Sequence, residues 1–473
     1  MKSEAKRFFA AQAWVQGCWA TDVLLHVAGD GSWLNVQPGA TAAEQAGATR
    51  LQGPVLPGLV NAHSHAFQRA IAGLTERRGG GESDDFWSWR ERMYSAANRI
   101  TPAQLEAIAS LLYAELLAGG YTQVCEFHYL HNAIDGAPYA DPAEMALALV
   151  RAAQRTGIGL TLLPTLYMRS GFSASGLRVE QRRFSSTPDS VLRVAEEIRR
   201  LGDSRFNAGV AVHSLRAACP AALSELAAAA KHAGLPLHIH IAEQTQEVAD
   251  CIAHTGQRPI EWLLDHVEVD ARWSLVHATQ STPAELAALQ KSGASIVLCP
   301  ATEANLGDGV FDFPAYAVAG GQWSVGSDSQ ITRSWPEELR WLEYSQRLSL
   351  RQRNIAARVG DHESSAAALF EAALAGGQAA SGQALGGIAP GNRADFVTLD
   401  LQAPALLGIP PEQLLDALVF SGPVAAFGEV FVAGRRVVAV GRFGGPQQDA
   451  ALWPQLAGNF SRAMRALWAD AGA

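Results

Sequence analysis

From about residue 55 the chain alternates between two patterns of apolar positions. Short β-branched or wholly apolar runs are separated by longer Ala/Leu/Glu-rich stretches. The runs are PGLVNAHSH (57–65), YTQVCEFHYL (121–130), GLTLLPTLYM (159–168), AGVAVHSL (208–215), LPLHIHIAE (235–243), WSLVHAT (273–279), ASIVLCP (294–300) and WSVGSDS (323–329). Their length and β-branched content predict strands buried on both faces. Between them, stretches such as TPAQLEAIASLLYAELLAGG (101–120) and PAALSELAAAAKHAG (220–234) open at Pro and close at Gly, as helices do. Eight strands alternating with helices predict an α/β fold with a parallel sheet, and eight is the number that closes a (β/α)8 TIM barrel.

The flanks follow a different pattern. Residues 1–56 and 385–446 carry short alternating strands with Gly-rich turns, among them TDVLLHVAGDGSW, ADFVTLD and VAAFGEVFVAGRRVVAVG. The expected organisation is a barrel over 57–384, a small β-sandwich built from both chain ends, and a closing helix over 447–473. GGGES (79–83) reads as a flexible loop.

Composition narrows the class. At 473 residues the chain exceeds what one core usually supports, in line with a barrel plus a smaller body. A net charge of −9 argues against nucleic acid or an anionic membrane as the main partner. Five scattered cysteines (18, 125, 219, 251, 299), never in CxxC spacing, fit a reducing cytoplasm better than a disulfide framework. Lys2, Lys6 and Arg7 precede a mildly apolar stretch, but Glu4, Gln12 and Gln16 interrupt it, so no leader peptide is expected. No run of 18 apolar residues predicts a spanning helix.

The chemistry gathers at the strand ends: His63 and His65; Glu126, His128 and Tyr129; His213 and Arg216; His238, His240 and Glu243; His277; and Asp328. In a TIM barrel those ends converge on the active site. Thirteen histidines placed at random would not favour these ends so heavily. His63 and His65, two apart on a strand, share a face and are able to grip one ion, although two satisfied histidines on an amphipathic strand would look the same. A third imidazole from the fifth strand and Asp328 from the eighth would complete a shell that suits Zn²⁺, and also Fe²⁺ or Mn²⁺. His238 and His240 both qualify; His240 is preferred because Glu243 follows where the strand opens into its loop. Glu243 reads as a proton shuttle or as a helix-capping carboxylate. His277 reads as a partner of the attacking water or as a core histidine. The fourth strand, AGVAVHSLR, has no lysine, and Lys231 and Lys291 fall in helical stretches. A lysine-bridged pair of metals is therefore not expected, and a single ion is.

PGLVNAHSHAFQ, LHIHIAEQ, LVHAT and GSDS, in this order, resemble the amidohydrolase superfamily, as does the tail IAPGNRADFVTLD followed by VFVAGRRVV. The resemblance covers nearly the whole chain. It implies a (β/α)8 barrel, one divalent metal and hydrolysis of a C–N bond. HSHAFQRAIAGL, FWSWRERMY, EFHYLH, VAVHSLRA, HIAEQTQEV, TEANLGDG and SDSQ further resemble the formimidoylglutamate deiminase (N-formimino-L-glutamate iminohydrolase) branch, which acts in histidine degradation. By this resemblance His63, His65, His240 and Asp328 would hold the metal. Glu243, His277 and Asp328 would handle protons and the attacking water, and Gln68, Arg90, Tyr129, His213 and Arg216 would hold the substrate. Formiminoglutamate is a small dicarboxylate, and the planar fork of arginine matches a carboxylate with two bonds. Arg90 is expected in an aromatic-flanked loop after the first strand, and Arg216 just past the fourth. The family often places a histidine two residues after the metal aspartate; here Gln330 stands there, outside the expected shell. A homodimer is expected. The alternatives are a deaminase or chlorohydrolase of an aromatic ring, and a barrel serving only as a scaffold.

Overall fold

The structure is a computed structural model describing all residues except 1–4, 79–84, 359, 361, 423–425, 440–441, 444–451 and 470–473. GGGES and the first residues of the C-terminal segment therefore lie outside the described residues. Eight parallel staves follow in chain order: Leu59–Ser64, Tyr121–His128, Gly159–Leu166, Phe206–Ala208 continued by Val210–Val212, Leu237–Ile241, Trp273–His277, Ser295–Leu298 and Gln322–Val325. The ring closes just past the last strand, where the Asp328 N–H donates to the His63 carbonyl at 3.0 Å and the His65 N–H to the Asp328 carbonyl at 3.2 Å. Each predicted run holds a stave. The staves end earlier than the apolar runs because the last residues of each run turn outward into the site loops.

The strands form here because both of their faces are covered. Every residue of Tyr121–His128 and Gly159–Leu166 is buried, as expected for strands between a filled barrel and an outer ring of helices. The helices are locally encoded. Thr101 and Gln104 make a capping box at the start of Pro102–Ala118, and Glu144–Thr156 ends on Gly157 at φ 85°. Helix Ser365–Ser381 closes the N-terminal mouth of the barrel. Its carbonyls accept from Thr161 Oγ1 (3.0 Å), His238 Nε2 (2.9 Å) and Ser324 Oγ (3.0 Å) on three different strands.

The two chain ends meet in one sheet. Val55–Pro57 pairs parallel to Lys6–Val15 on one side and antiparallel to Phe396–Leu399 on the other. Its strands run in the order 442–443, 435–439, 427–432, 396–399, 55–57, 6–15, 18–27, 33–37. Three strands separate Trp33 from Phe396, which in a flat sheet would place them about 19 Å apart. Their rings are instead 5.4 Å apart, and Phe8 reaches Phe431 at 5.4 Å. The sandwich expected from the flanks is thus a single continuous sheet curled over its own aromatic core. Leu452–Trp468 forms the C-terminal helix and packs on Pro102–Ala118. Among the described residues no helix is long and apolar enough to cross a membrane.

Candidate active site

Strand periodicity sends His63 and His65 to the same face, with their Nε2 atoms 3.2 Å apart. His240 brings its Nε2 to 3.0 Å from that of His63, and Asp328 Oδ1 lies 3.4 Å from both His63 and His65 Nε2. The other ring nitrogens of His65 and His240 lie 2.9 Å from the carbonyls of Phe127 and His213. A carbonyl accepts only, so both rings carry their proton on Nδ1 and turn bare Nε2 lone pairs towards each other. Burial pushes His63 down to about 3 and lowers His65 and His240 as well, keeping the rings neutral. Burial alone would raise Asp328, but the His63 bond and the neighbouring imidazoles hold its carboxyl below the usual carboxylate range. Converging lone pairs beside a carboxylate, with His63 Nδ1 also left without a partner, fit the donor set of a divalent cation.

His238 faces the same interior one layer deeper, where its Nε2 donates to the Ala380 carbonyl of the plugging helix. Depth along the strand, rather than side-chain direction, separates the two histidines.

Around the cluster stand Glu243 and His277. His277 Nε2 is 3.9 Å from both Glu243 Oε1 and Asp328 Oδ2, and its Nδ1 is 3.3 Å from Glu303 Oε1. Burial works to lower His277, but Glu243, the Glu303 bond and Asp328 outweigh it and push the ring up to about 10. Burial raises Glu243 to about 7, with Asp328 adding to the shift and His277 opposing it. The backbone is strained here. Ala242, His277, Ala278, Asp328 and Gln330 all have positive φ, which turns the ends of strands five, six and eight into the cavity.

The cavity is lined by His65, Gln68, Arg90, Tyr129, His213, Arg216, His240, Glu243, His277 and Asp328. His63, fully buried, lies behind that wall. Every site residue expected from the sequence is therefore at this cavity or directly beneath it. Gln68 Nε2 donates to the Tyr129 hydroxyl at 3.1 Å. Arg90 is not on a loop but in helix Phe86–Ala97. Asp85 starts that helix by accepting the Trp87 and Ser88 N–H groups at 3.0 and 3.2 Å, a cap that the aromatic run obscures. The helix aims Arg90 into its own chain's cavity, where the guanidinium lies 4.4 Å from the Trp87 ring. Arg216 is 5.7 Å from the same ring and, among the described residues, has no carboxylate partner.

Besides His238, two more residues of the strand-end group lie elsewhere. His128 faces His131 at 5.2 Å, away from the cavity, and Glu126 accepts from Ser64 Oγ (2.9 Å) and the Ala66 N–H (2.6 Å) beneath the first loop. Gln330 ties the last loop to the first: its Nε2 donates to the Asp328 carbonyl (2.7 Å) and Ser64 Oγ (3.0 Å), while Oε1 accepts from Ser327 Oγ (2.8 Å). Sequence reasoning missed Glu303, Tyr94, Tyr167 and Gln181. Tyr167 ends a predicted strand and was open to the same strand-end argument; Gln181 carries no local signal.

An amidohydrolase family model matches residues 55–437. Formimidoylglutamate deiminase of Pseudomonas aeruginosa is 47% identical over 451 residues, covering 95% of this chain and 98% of that protein. A 5-methylthioadenosine/S-adenosylhomocysteine deaminase of Halobacterium salinarum is 28% identical, covering 74% of each chain. Among solved structures, an amidohydrolase from Brucella melitensis superposes with a TM-score of 0.90 at 42% identity, covering 98% of this chain and 99% of that one. Matched through the barrel and through strands of the curled sheet, this chain belongs to the amidohydrolase family.

Proposed function

We propose that the protein hydrolyses N-formimino-L-glutamate to N-formyl-L-glutamate and ammonia. The observation that carries this reading is the polarity of the cavity: an imidazole–carboxylate cluster at one end, and two guanidinium groups at the other, Arg90 with only the half-exposed Glu91 at 3.9 Å and Arg216 with no ion pair among the described residues. Such a cavity suits a substrate with a hydrolysable C=N at one end and carboxylates at the other. The chain-long similarity to the Pseudomonas aeruginosa formimidoylglutamate deiminase supports the same substrate.

His63, His65, His240 and Asp328 would hold one divalent ion, with Zn²⁺ the first candidate and Fe²⁺ or Mn²⁺ the alternatives. When bound, such an ion acts as a Lewis acid that acidifies water at neutral pH. Asp328 and His277 orient the attacking water on the formimino carbon. Glu243 takes a proton from that water and delivers it to the imino nitrogen. A carboxyl raised to about 7 is suited to both halves of that transfer. The tetrahedral adduct then collapses to the formyl C=O as its hydroxyl proton passes to the departing nitrogen, with Glu243 again placed to carry it, and the C–N bond breaks to release ammonia. Arg90 and Arg216 hold carboxylates, while Gln68, Tyr129 and His213 steady the formimino end.

The cavity also contains Phe86, Trp89, Tyr129, Tyr167 and Phe184, a lining that favours a flat ring as a second reading. Guanidinium groups already lie over Trp87 and near Phe86 and Tyr94, which leaves less ring surface for a base. An ammonia-release assay with formiminoglutamate, formiminoaspartate and guanine, with Zn²⁺ and with chelator, separates the readings. Release from guanine but not from formiminoglutamate would overturn the first.

A further inference from the structure

We propose that the phenol pair Tyr94 and Tyr167, with its protons aimed by Gln181, completes a carboxylate clamp with Arg90 and Arg216 and makes the cavity selective for a substrate bearing two carboxylates. This rests on the assignment of the cavity to formiminoglutamate.

Gln181 is fully buried in the short helix Val179–Phe184. Its Oε1 accepts the Arg178 backbone N–H at 3.1 Å, and this bond assigns the orientation of the amide. The NH₂ group therefore points the other way, and it donates to the Tyr94 hydroxyl at 3.0 Å and to the Tyr167 hydroxyl at 2.9 Å. A hydroxyl has one proton to give and two lone pairs. Gln181 fills a lone pair on each oxygen, which leaves each hydroxyl its own proton to give. Both rings line the cavity on the wall that carries the arginines. Tyr167 is the deeper of the two, with its ring 4.4 Å from His213 and 6.3 Å from Tyr129.

The arginines present the same polarity. Arg90 Nε is buried without a partner, and the nearest carboxylate to Arg90, Glu91 at 3.9 Å, is half exposed and bonds Arg178 at 3.1 Å. The guanidinium and phenol protons thus make this wall mainly one of donors, which acceptor groups of the substrate must satisfy. A base or neutral ring would meet them only in part, whereas a carboxylate accepts from a guanidinium fork and a phenol at once. Gln181 is a positioning residue in this arrangement. Its replacement by Glu keeps the shape but turns donors into acceptors and draws the phenol protons inward.

The test compares metal-loaded wild type, Tyr167→Phe and Gln181→Glu. Calorimetry measures their affinity for N-formyl-L-glutamate and for two single-carboxylate analogues, 4-formamidobutanoate and 2-formamidobutanoate. The expected result is a loss on the order of tenfold or more for the dicarboxylate, as for a bond to a charged group. At least one analogue should bind unchanged, and KM for formiminoglutamate should rise while kcat stays within twofold. Affinity within threefold of wild type for the dicarboxylate, or equal losses for all three ligands, would overturn the proposal. Should Gln181→Glu fail to fold, Tyr167→Phe carries the test alone. Wild type that binds N-formyl-L-glutamate without turning over formiminoglutamate would sink the assigned reaction and leave the clamp standing. Wild type that binds no dicarboxylate would sink both.

Discussion

Glu243 and Glu126 are both buried glutamates with raised carboxyl groups, yet their surroundings give them different work. Glu243 faces the cavity within reach of His277, so its proton can be exchanged with a bound molecule. Glu243→Gln keeps the size and removes the exchangeable proton. It should lower kcat by about 10²- to 10⁴-fold while metal content, measured by atomic emission, stays at the wild-type level. Glu126 is sealed under the first loop, where burial pushes its carboxyl up to about 8 from 4.5 against the bonds from Ala66, Ser64 and Tyr113. The folded protein therefore keeps a proton that the unfolded chain releases above 4.5. Stability from this group is full below that pH and is lost as pH rises towards 8. Glu126→Gln should remove that slope, so melting temperatures of the two proteins followed from pH 6 to 9 should shift in the variant's favour; a gap independent of pH would count against it. At Arg216 the loss is of binding. Arg216→Met should raise KM for a dicarboxylate by about 10- to 150-fold, the size of one charged hydrogen bond of 1.5–3 kcal/mol, and an unchanged KM would remove it from the substrate wall.

The elements hold these side chains through close contacts rather than through any single strong bond. Gly326, just past the last strand, packs directly on the first: a Cβ there would lie 2.6 Å from the His63 Cβ and 2.8 Å from the His63 nitrogen and oxygen. Gly326→Ala must push the first strand aside, so it should reduce metal content and activity together even where the protein still folds. A variant with full metal occupancy would contradict this. Helix Phe86–Ala97 is held by a different device. Arg183, fully buried, donates to the carbonyls of Ala97 and Ile100 at the end of that helix and to Asn132. A cation at a helix C-terminus is favoured by the helix dipole as well as by the bonds. The element that carries Arg90 thus depends on a residue far from it in the chain.

Across the whole molecule, closure of the barrel and assembly of the candidate ion site are the same event, because His63, His65 and Asp328 exchange backbone bonds at the seam between the first and last strands. An ion that binds only the closed ring stabilises it by mass action, about 4 kcal/mol at a thousandfold excess over Kd. Chelation should therefore lower the melting temperature as well as abolish ammonia release, and Zn²⁺ should restore both; a transition insensitive to chelator would separate the ion from the fold. Much of this was legible in the chain. Spacing of two on a strand is enough to place His63 beside His65, and apolar runs bounded by Gly and Pro are enough to mark eight staves, because both follow from the geometry of a single strand. The ordered motifs also identified the family. Other features depended on contacts between segments that no local pattern encodes. The position of Glu243 already favoured His240 over His238, but that His238 is spent on the Ala380 carbonyl of the plugging helix is a contact between distant segments. The cap at Asp85 placed Arg90 on a helix, and the amide of Gln181 reaches Tyr94 across 87 residues. Local sequence determined which side chains share a face and where strands begin. Only the tertiary structure decided which faces meet, because those choices rest on packing and hydrogen bonds between residues distant in the chain.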